Sequence, residues 1–89
     1  MTKTEVIEAL ASRVGLTKAD AKRAVDGVLE IIGGGLARGE KVTLTGFGTF
    51  EVRQRRARMG RNPQTGAPLH IPASTYPAFR AGKALKDRV

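Results

Sequence analysis

Beyond Val52 the chain stops supplying a face that can be buried. Residues Thr49-Phe-Glu-Val52 alternate as a half-buried strand does, with Phe50 and Val52 on one side. The alternation then becomes wholly polar. Arg53 and Arg55 fall on one side, and Gln54, Arg56 and Arg58 on the other. A strand that is polar on both faces has no core to lie on. Residues 60–68, GRNPQTGAP, follow with two glycines and two prolines. Such a stretch suits a turn and neither helix nor regular strand. The return limb from Ala67 to Pro72 is thin, with Leu69 and Ile71 facing one way and His70 the other. Residues 53–73 are therefore expected to leave the body as a β-ribbon with GRNPQTG at its tip.

Charge gathers in the same half. Residues 1–45 carry seven basic and six acidic side chains; residues 46–89 carry nine and two, within a formal net charge of +8. No acid lies between Arg53 and Ala73. A basic half of this kind marks a polyanion partner: DNA, RNA or an anionic membrane. The absence of cysteine removes disulfide and thiol chemistry and suits a reducing cytosol. No apolar run approaches the ~20 residues that a membrane span needs. Lys3, Glu5 and Glu8 interrupt the region where a signal peptide would be apolar. The expectation is a cytoplasmic protein of one domain, 1–89, with no membrane partner.

The body reads as helices followed by strands. Thr2-Lys-Thr-Glu5 has the spacing of a capping box. Val6, Ile7, Leu10, Ala11 and Val14 follow at helical spacing, and Gly15 suits a left-handed terminator. Thr17 restarts the pattern as an N-cap. The second apolar stripe, Ala21, Val25, Val28, Ile32 and Leu36, is widened by Ala24, Leu29 and Ile31 until it can bury on two sides. Gly33-Gly34-Gly35 interrupts it, each Gly costing roughly 0.8–1 kcal/mol against Ala in a helix interior. Two readings stand: a helix bent or frayed at 33–35 and ending near Arg38, or a close backbone approach to another helix.

Val42 and Leu44 begin the strands, Gly46-Phe47-Gly48 makes a tight turn, and Tyr76 to Phe79 rejoins the core. Pro77 demotes that last strand to an edge or a bulge. Gly82 precedes a short helix, Lys83 to Arg88. The fold class is α+β: two N-terminal helices, an antiparallel three-stranded sheet with a long protruding ribbon, and a short C-terminal helix. Residues 1–45 are the mainly helical, dimerising part; residues 46–89 hold the sheet, the arm at about 53–73 and the last helix. Without the arm about 65 residues remain, a size at which a single core is marginal. An intertwined homodimer is expected, its shared core holding Val28, Ile32, Leu36, Leu44, Phe47, Phe50 and Phe79.

Catalytic and cofactor chemistry find no constellation. Ser12 and Ser74 lack a base nearby in any pattern. Gly34 to Gly39 has P-loop spacing, but Glu40 stands where the phosphate-binding Lys belongs. His70 is the only histidine, on a limb without carboxylates, so no metal site is expected. The reading is no enzyme, no cofactor and no metal.

The order of elements and four sequence clusters together resemble the bacterial HU / integration host factor family of DNA-bending proteins. The clusters are Gly46-Phe-Gly-Thr-Phe50, Gly60-Arg-Asn-Pro-Gln-Thr-Gly66 with Ile71-Pro-Ala73, Pro77-Ala-Phe79, and Gly82-Lys-Ala-Leu-Lys-Asp87. The resemblance covers essentially the whole chain. Ala81 departs from the proline often found before the Gly-Lys pair, and the triple glycine is unusual. What the resemblance implies is a nucleoid-associated protein that bends double-stranded DNA from the minor groove. Pro63 would be the wedge between base pairs, and Arg53, Arg55, Arg56, Arg58, Arg61, Asn62, Gln64 and Thr65 the arm contacts. Lys3, Lys83 and Lys86 are candidates for phosphate contact on the body. Nicked, gapped or junction DNA would bind as well, and RNA stays open as a partner.

Read from the residues alone, GRNPQTGAP is also an ordinary hairpin turn. A sequence-specific helix-turn-helix regulator is the competing function, since Ala11, Gly15 and the apolar positions after them imitate that motif, with a recognition helix from Thr17. Charge location separates the two. A recognition helix should dominate the positive field, yet residues 1–45 are nearly balanced.

Overall fold

A computed structural model describes residues 1–89. The chain divides into two compact units, Met1–Gly34 and Gly35–Val89. The first holds helix α1, Lys3–Val14, and most of helix α2, Lys18–Ala37. Thr2 caps α1 by accepting the Glu5 N–H at 3.3 Å. The reciprocal half of the expected capping box does not form: the Glu5 carboxylate accepts the Thr2 hydroxyl at 3.4 Å instead of reaching a backbone N–H. Gly15 ends α1 in the left-handed region at φ 72°, where Cβ would be unfavourable. Thr17 caps α2, its hydroxyl accepting the Asp20 N–H at 3.1 Å.

Helix α2 runs through the glycine triplet without fraying and stops at Ala37, with Gly39 at φ 76° just beyond. Arg38 and Glu40 N–H groups both donate to the Gly35 carbonyl, at 3.1 and 2.9 Å, which closes the helix end. A Cβ at Gly35 would stand 3.1 Å from Val42 Cγ2. The expected close approach to another helix is not seen; at Gly35 the near neighbour is the Val42 side chain of the next strand. Gly33 faces open space.

The second unit carries strands β1 (Val42–Leu44), β2 (Gly48–Arg55), β3 (Arg58–Arg61), β4 (Pro68–Ile71) and β5 (Ser74–Ala81), then helix α3 (Lys83–Arg88). The main sheet has the antiparallel order β1-β2-β5, so β5 is an edge and tolerates Pro77 opposite Val52. Gly46, at φ 86°, turns the chain from β1 to β2. Phe79 packs on Phe50 at 4.8 Å and on Phe47 at 5.4 Å between ring centroids, both tilted. Gly82 N–H donates to the Phe47 carbonyl at 2.8 Å and ties the start of α3 to that turn.

The ribbon is not continuous, as residues 53–73 had suggested. The β2–β5 ladder ends at the pair Arg55 and Ser74; a separate β3–β4 ladder begins at Arg58 and Ile71. Arg56-Ala57 and Pro72-Ala73 lie between them, unpaired, and the register resumes unchanged beyond the gap. Pro72 explains one side of the break, because it has no N–H to give to the ladder. The expected core is also unfilled within one chain. Ala21 is the one buried hydrophobic side chain, while Val28, Leu44, Phe47 and Phe79 are exposed and Ile32, Leu36 and Phe50 half-buried.

Candidate nucleic-acid interface

The arm presents its cations in two groups. On β2, Arg53 and Arg55 share a face with their cross-strand partners Tyr76 and Ser74. The Arg55 guanidinium stacks over the Tyr76 ring at 4.5 Å, a contact that restrains the cation while leaving it at the surface. Arg56 falls in the gap, and Arg58 and Arg61 stand at the two ends of β3. All five arginines are exposed.

The tip is tightly tied by hydrogen bonds. Asn62 N–H donates to the Ala67 carbonyl at 2.9 Å, and the Asn62 carbonyl accepts from Gly66 N–H at 2.7 Å. Asn62 Oδ1 accepts the Gln64 N–H at 2.9 Å, and Thr65 Oγ1 accepts the Ala67 N–H at 3.3 Å. These are side chains holding a turn. Gly66 completes it at φ 71°. Pro63 stands between these bonds, exposed and with no donor left to satisfy. The proposed contacts Asn62 and Thr65 thus have structural work at the tip, and Pro63 and Gln64 point their side chains to solvent.

The three lysines differ. Lys3 pairs with Asp26 at 2.6 Å, and Lys22 reaches the other oxygen of Asp26 at 3.0 Å. The hydrogen bond from Lys3, and then that from Lys22, holds the Asp26 carboxyl below its ordinary value of 3.8. Lys83 pairs with Asp87 at 3.1 Å along α3, and Lys86 is exposed beside them. Sequence reasoning missed Arg80, which joins Arg53 around the Glu51 carboxylate. It also placed Tyr76 in the core, where the structure sets its ring under Arg55. The β2–β5 register, which pairs Thr49 with Arg80 and Arg53 with Tyr76, was the signal for both, but it needs the strand pairing to be read.

Three helices, a three-stranded sheet and a two-stranded arm bearing exposed arginines make an α+β protein with a basic arm. The chain belongs to the bacterial DNA-binding protein family, whose model matches residues 1–89. It is 62% identical over 89 residues to the DNA-binding protein HU of Staphylococcus aureus, covering 100% of this chain and 99% of the relative. Identity to the HU of Geobacillus stearothermophilus is 60%, with the same coverage. Among solved structures, the Anabaena HU–DNA cocrystal matches with a TM-score of 0.93 at 44% identity, covering 99% of this chain and 96% of that one. HU from Thermotoga maritima matches with a TM-score of 0.69 at 35% identity, covering 99% and 97%. The chain is accordingly a histone-like, architectural DNA-binding protein and not an enzyme. No helix is long and apolar enough to cross a membrane.

Proposed function

We propose that the protein binds duplex DNA from the minor groove with little sequence preference, bends it by inserting Pro63 between base pairs, and so compacts and stabilises the bacterial chromosome. The observation that carries this is Pro63 itself: exposed, rigid, and set on a turn whose backbone is already tied, at the end of an arm with five arginines and no acid. Minor-groove architectural proteins, HU among them, insert apolar wedges that kink the duplex. The arginines supply phosphate neutralisation and sense groove width, which gives affinity without base readout. A nick, gap or junction has already lost stacking and should accept the wedge readily. Nucleoid association in the cytoplasm follows from this role, and the binding unit is a homodimer with two such arms.

The helix-turn-helix reading is disfavoured by charge pairing on α2. Lys22 is tied to Asp26 and Arg23 lies 3.6 Å from Asp20, so the first turns of that helix offer little uncompensated charge.

The test separates attraction from bending. Pro63→Ala removes no charge but shortens the wedge and adds an N–H. Energy transfer between the ends of a short duplex should report a smaller bend on intact DNA at saturating protein, with less loss on nicked DNA. Arg61→Ala should do the reverse, weakening binding on every sequence while largely keeping the bend. An unchanged end-to-end distance with Pro63→Ala on intact DNA would reduce the tip to a plain turn. Competition with RNA of equal length in the same assay decides whether RNA is a partner.

A further inference from the structure

The face of the main sheet opposite the phenylalanines carries one acid. Cross-strand pairs place Thr49 with Arg80, Glu51 with Ala78, Arg53 with Tyr76 and Arg55 with Ser74 on that face. Glu51 Oε1 lies 3.6 Å from Arg53 Nη2 and 3.6 Å from Arg80 Nε. The oxygen is enclosed by the protein and accepts no hydrogen bond. The Glu51 side chain is only 16% exposed, whereas Arg53 and Arg80 are 45% and 61% exposed. From residue 46 onwards the only other acid is Asp87, which is paired with Lys83.

An enclosed carboxylate is costly unless cations compensate it. Glu51 meets that need with two guanidiniums at contact distance but without the close, linear geometry of a bidentate pair. Neither arginine is locked, since about half of the Arg53 side chain and more of Arg80 are open to solvent and either can swing to another anion. The cluster of three therefore shows an approaching duplex one net positive charge, where the arginines alone would show two.

We propose that Glu51 is a resident counter-ion that competes with DNA phosphate for Arg53 and Arg80. It keeps both cations in place on the sheet face while no duplex is bound, and it withholds affinity when one is. This rests on the reading that the arm and the adjoining sheet face meet DNA. By this inference Arg80 is a DNA contact held in reserve, and Glu51 sets how strongly the root of the arm grips the duplex.

Equilibrium binding of a labelled intact duplex over about 50–200 mM salt tests this. The proteins are wild type, Glu51→Gln, Arg80→Gln and the double variant. Glu40→Gln is the charge control, because Glu40 forms an exposed pair with Arg38. Gln keeps the volume of Glu, and circular dichroism checks the fold of each variant. Glu51→Gln should bind several-fold more tightly than Glu40→Gln, with a salt slope steeper by up to about 0.9 for each arginine released. Arg80→Gln should cost little in the wild-type background and several-fold more in the Glu51→Gln background. Equal behaviour of Glu51→Gln and Glu40→Gln would overturn the proposal, as would weaker binding by Glu51→Gln. So would an Arg80→Gln loss that is the same in both backgrounds; if Glu51→Gln folds poorly, a several-fold loss for Arg80→Gln in the wild-type background overturns it by itself. Arg55→Ala and Arg58→Ala separate the two levels of failure. If they leave binding unchanged, the DNA reading of this face falls and Glu51 with it; if they weaken binding and Glu51 shows no coupling to Arg80, the counter-ion alone falls.

Discussion

A methyl group at position 48 would have no room. A Cβ built on Gly48 would run into the Phe79 ring and stand 2.7 Å from the Arg80 carbonyl. Gly48→Ala must push Phe79 off Phe50 and Phe47, and overpacking of this kind costs about 1–3 kcal/mol. A lower melting temperature with retained secondary structure is expected by calorimetry; an unchanged one would mean that the phenylalanine cluster yields freely. Asp26 makes a second residue-scale prediction. Its carboxyl is held below 3.8 by Lys3 and then Lys22, so its pairing contributes stability above that pH and loses it as pH falls through the lowered value. The melting difference between wild type and Asp26→Asn should therefore persist at neutral pH and vanish in acid. A difference independent of pH would show that the ion pairs are not its source. Single residues were legible in the sequence where chemistry is local, as at the caps Gly15 and Thr17. They were not where the partner lies across a strand, as with Arg80, Glu51 and Tyr76.

At the scale of elements, the helices announced themselves by caps and period, and the strands by alternation. The glycine triplet did not declare its meaning, because propensity alone cannot tell a weak helix end from a backbone that needs room. The structure divides the triplet: Gly35 needs room beside Val42, and Gly33 has open space. Gly33→Ala should then raise stability by about 0.8–1 kcal/mol, the usual gain in a helix interior. Gly35→Ala should gain less or lose, since the new methyl meets Val42 Cγ2. Denaturant melts of the two variants give the comparison directly, and equal gains would show that the approach at Gly35 is not tight. The break in the arm was hidden for a related reason. Pro72 is visible in the sequence, but that it falls in the β4 to β5 junction, where the ladder is interrupted, depends on register. Because the register survives the gap, Pro63 remains at the end of one ribbon in two hydrogen-bonded pieces.

For the whole molecule the decisive quantity is surface. A folded monomer of 9.5 kDa is expected to expose about 5,000 Å². This chain exposes 7365 Å². The arm accounts for part of the excess, and apolar side chains for more: Ile31 is 71% exposed, Val28 53% and Leu29 52%. Fully burying a Val, Leu, Ile or Phe side chain stabilises by roughly 1.5–3 kcal/mol, so leaving several open forfeits much of what a small domain has. A second copy of the same chain can cover such a surface by presenting the same one, as two-fold assemblies do. An obligate homodimer sharing Val28, Leu44, Phe47 and Phe79 is therefore expected, with no stable folded monomer. Mass action then makes the melting temperature depend on concentration: dilution should lower it steadily, whereas a monomer would melt at one temperature throughout. Sedimentation at micromolar concentration should give about twice 9.5 kDa. Val28→Glu, an exposed charge if the chain stood alone, should instead be strongly destabilising, because it would place an unpaired carboxylate in the shared core. A Val28→Glu protein that melts like wild type and sediments as a folded single chain would show that the open apolar face has no partner in solution.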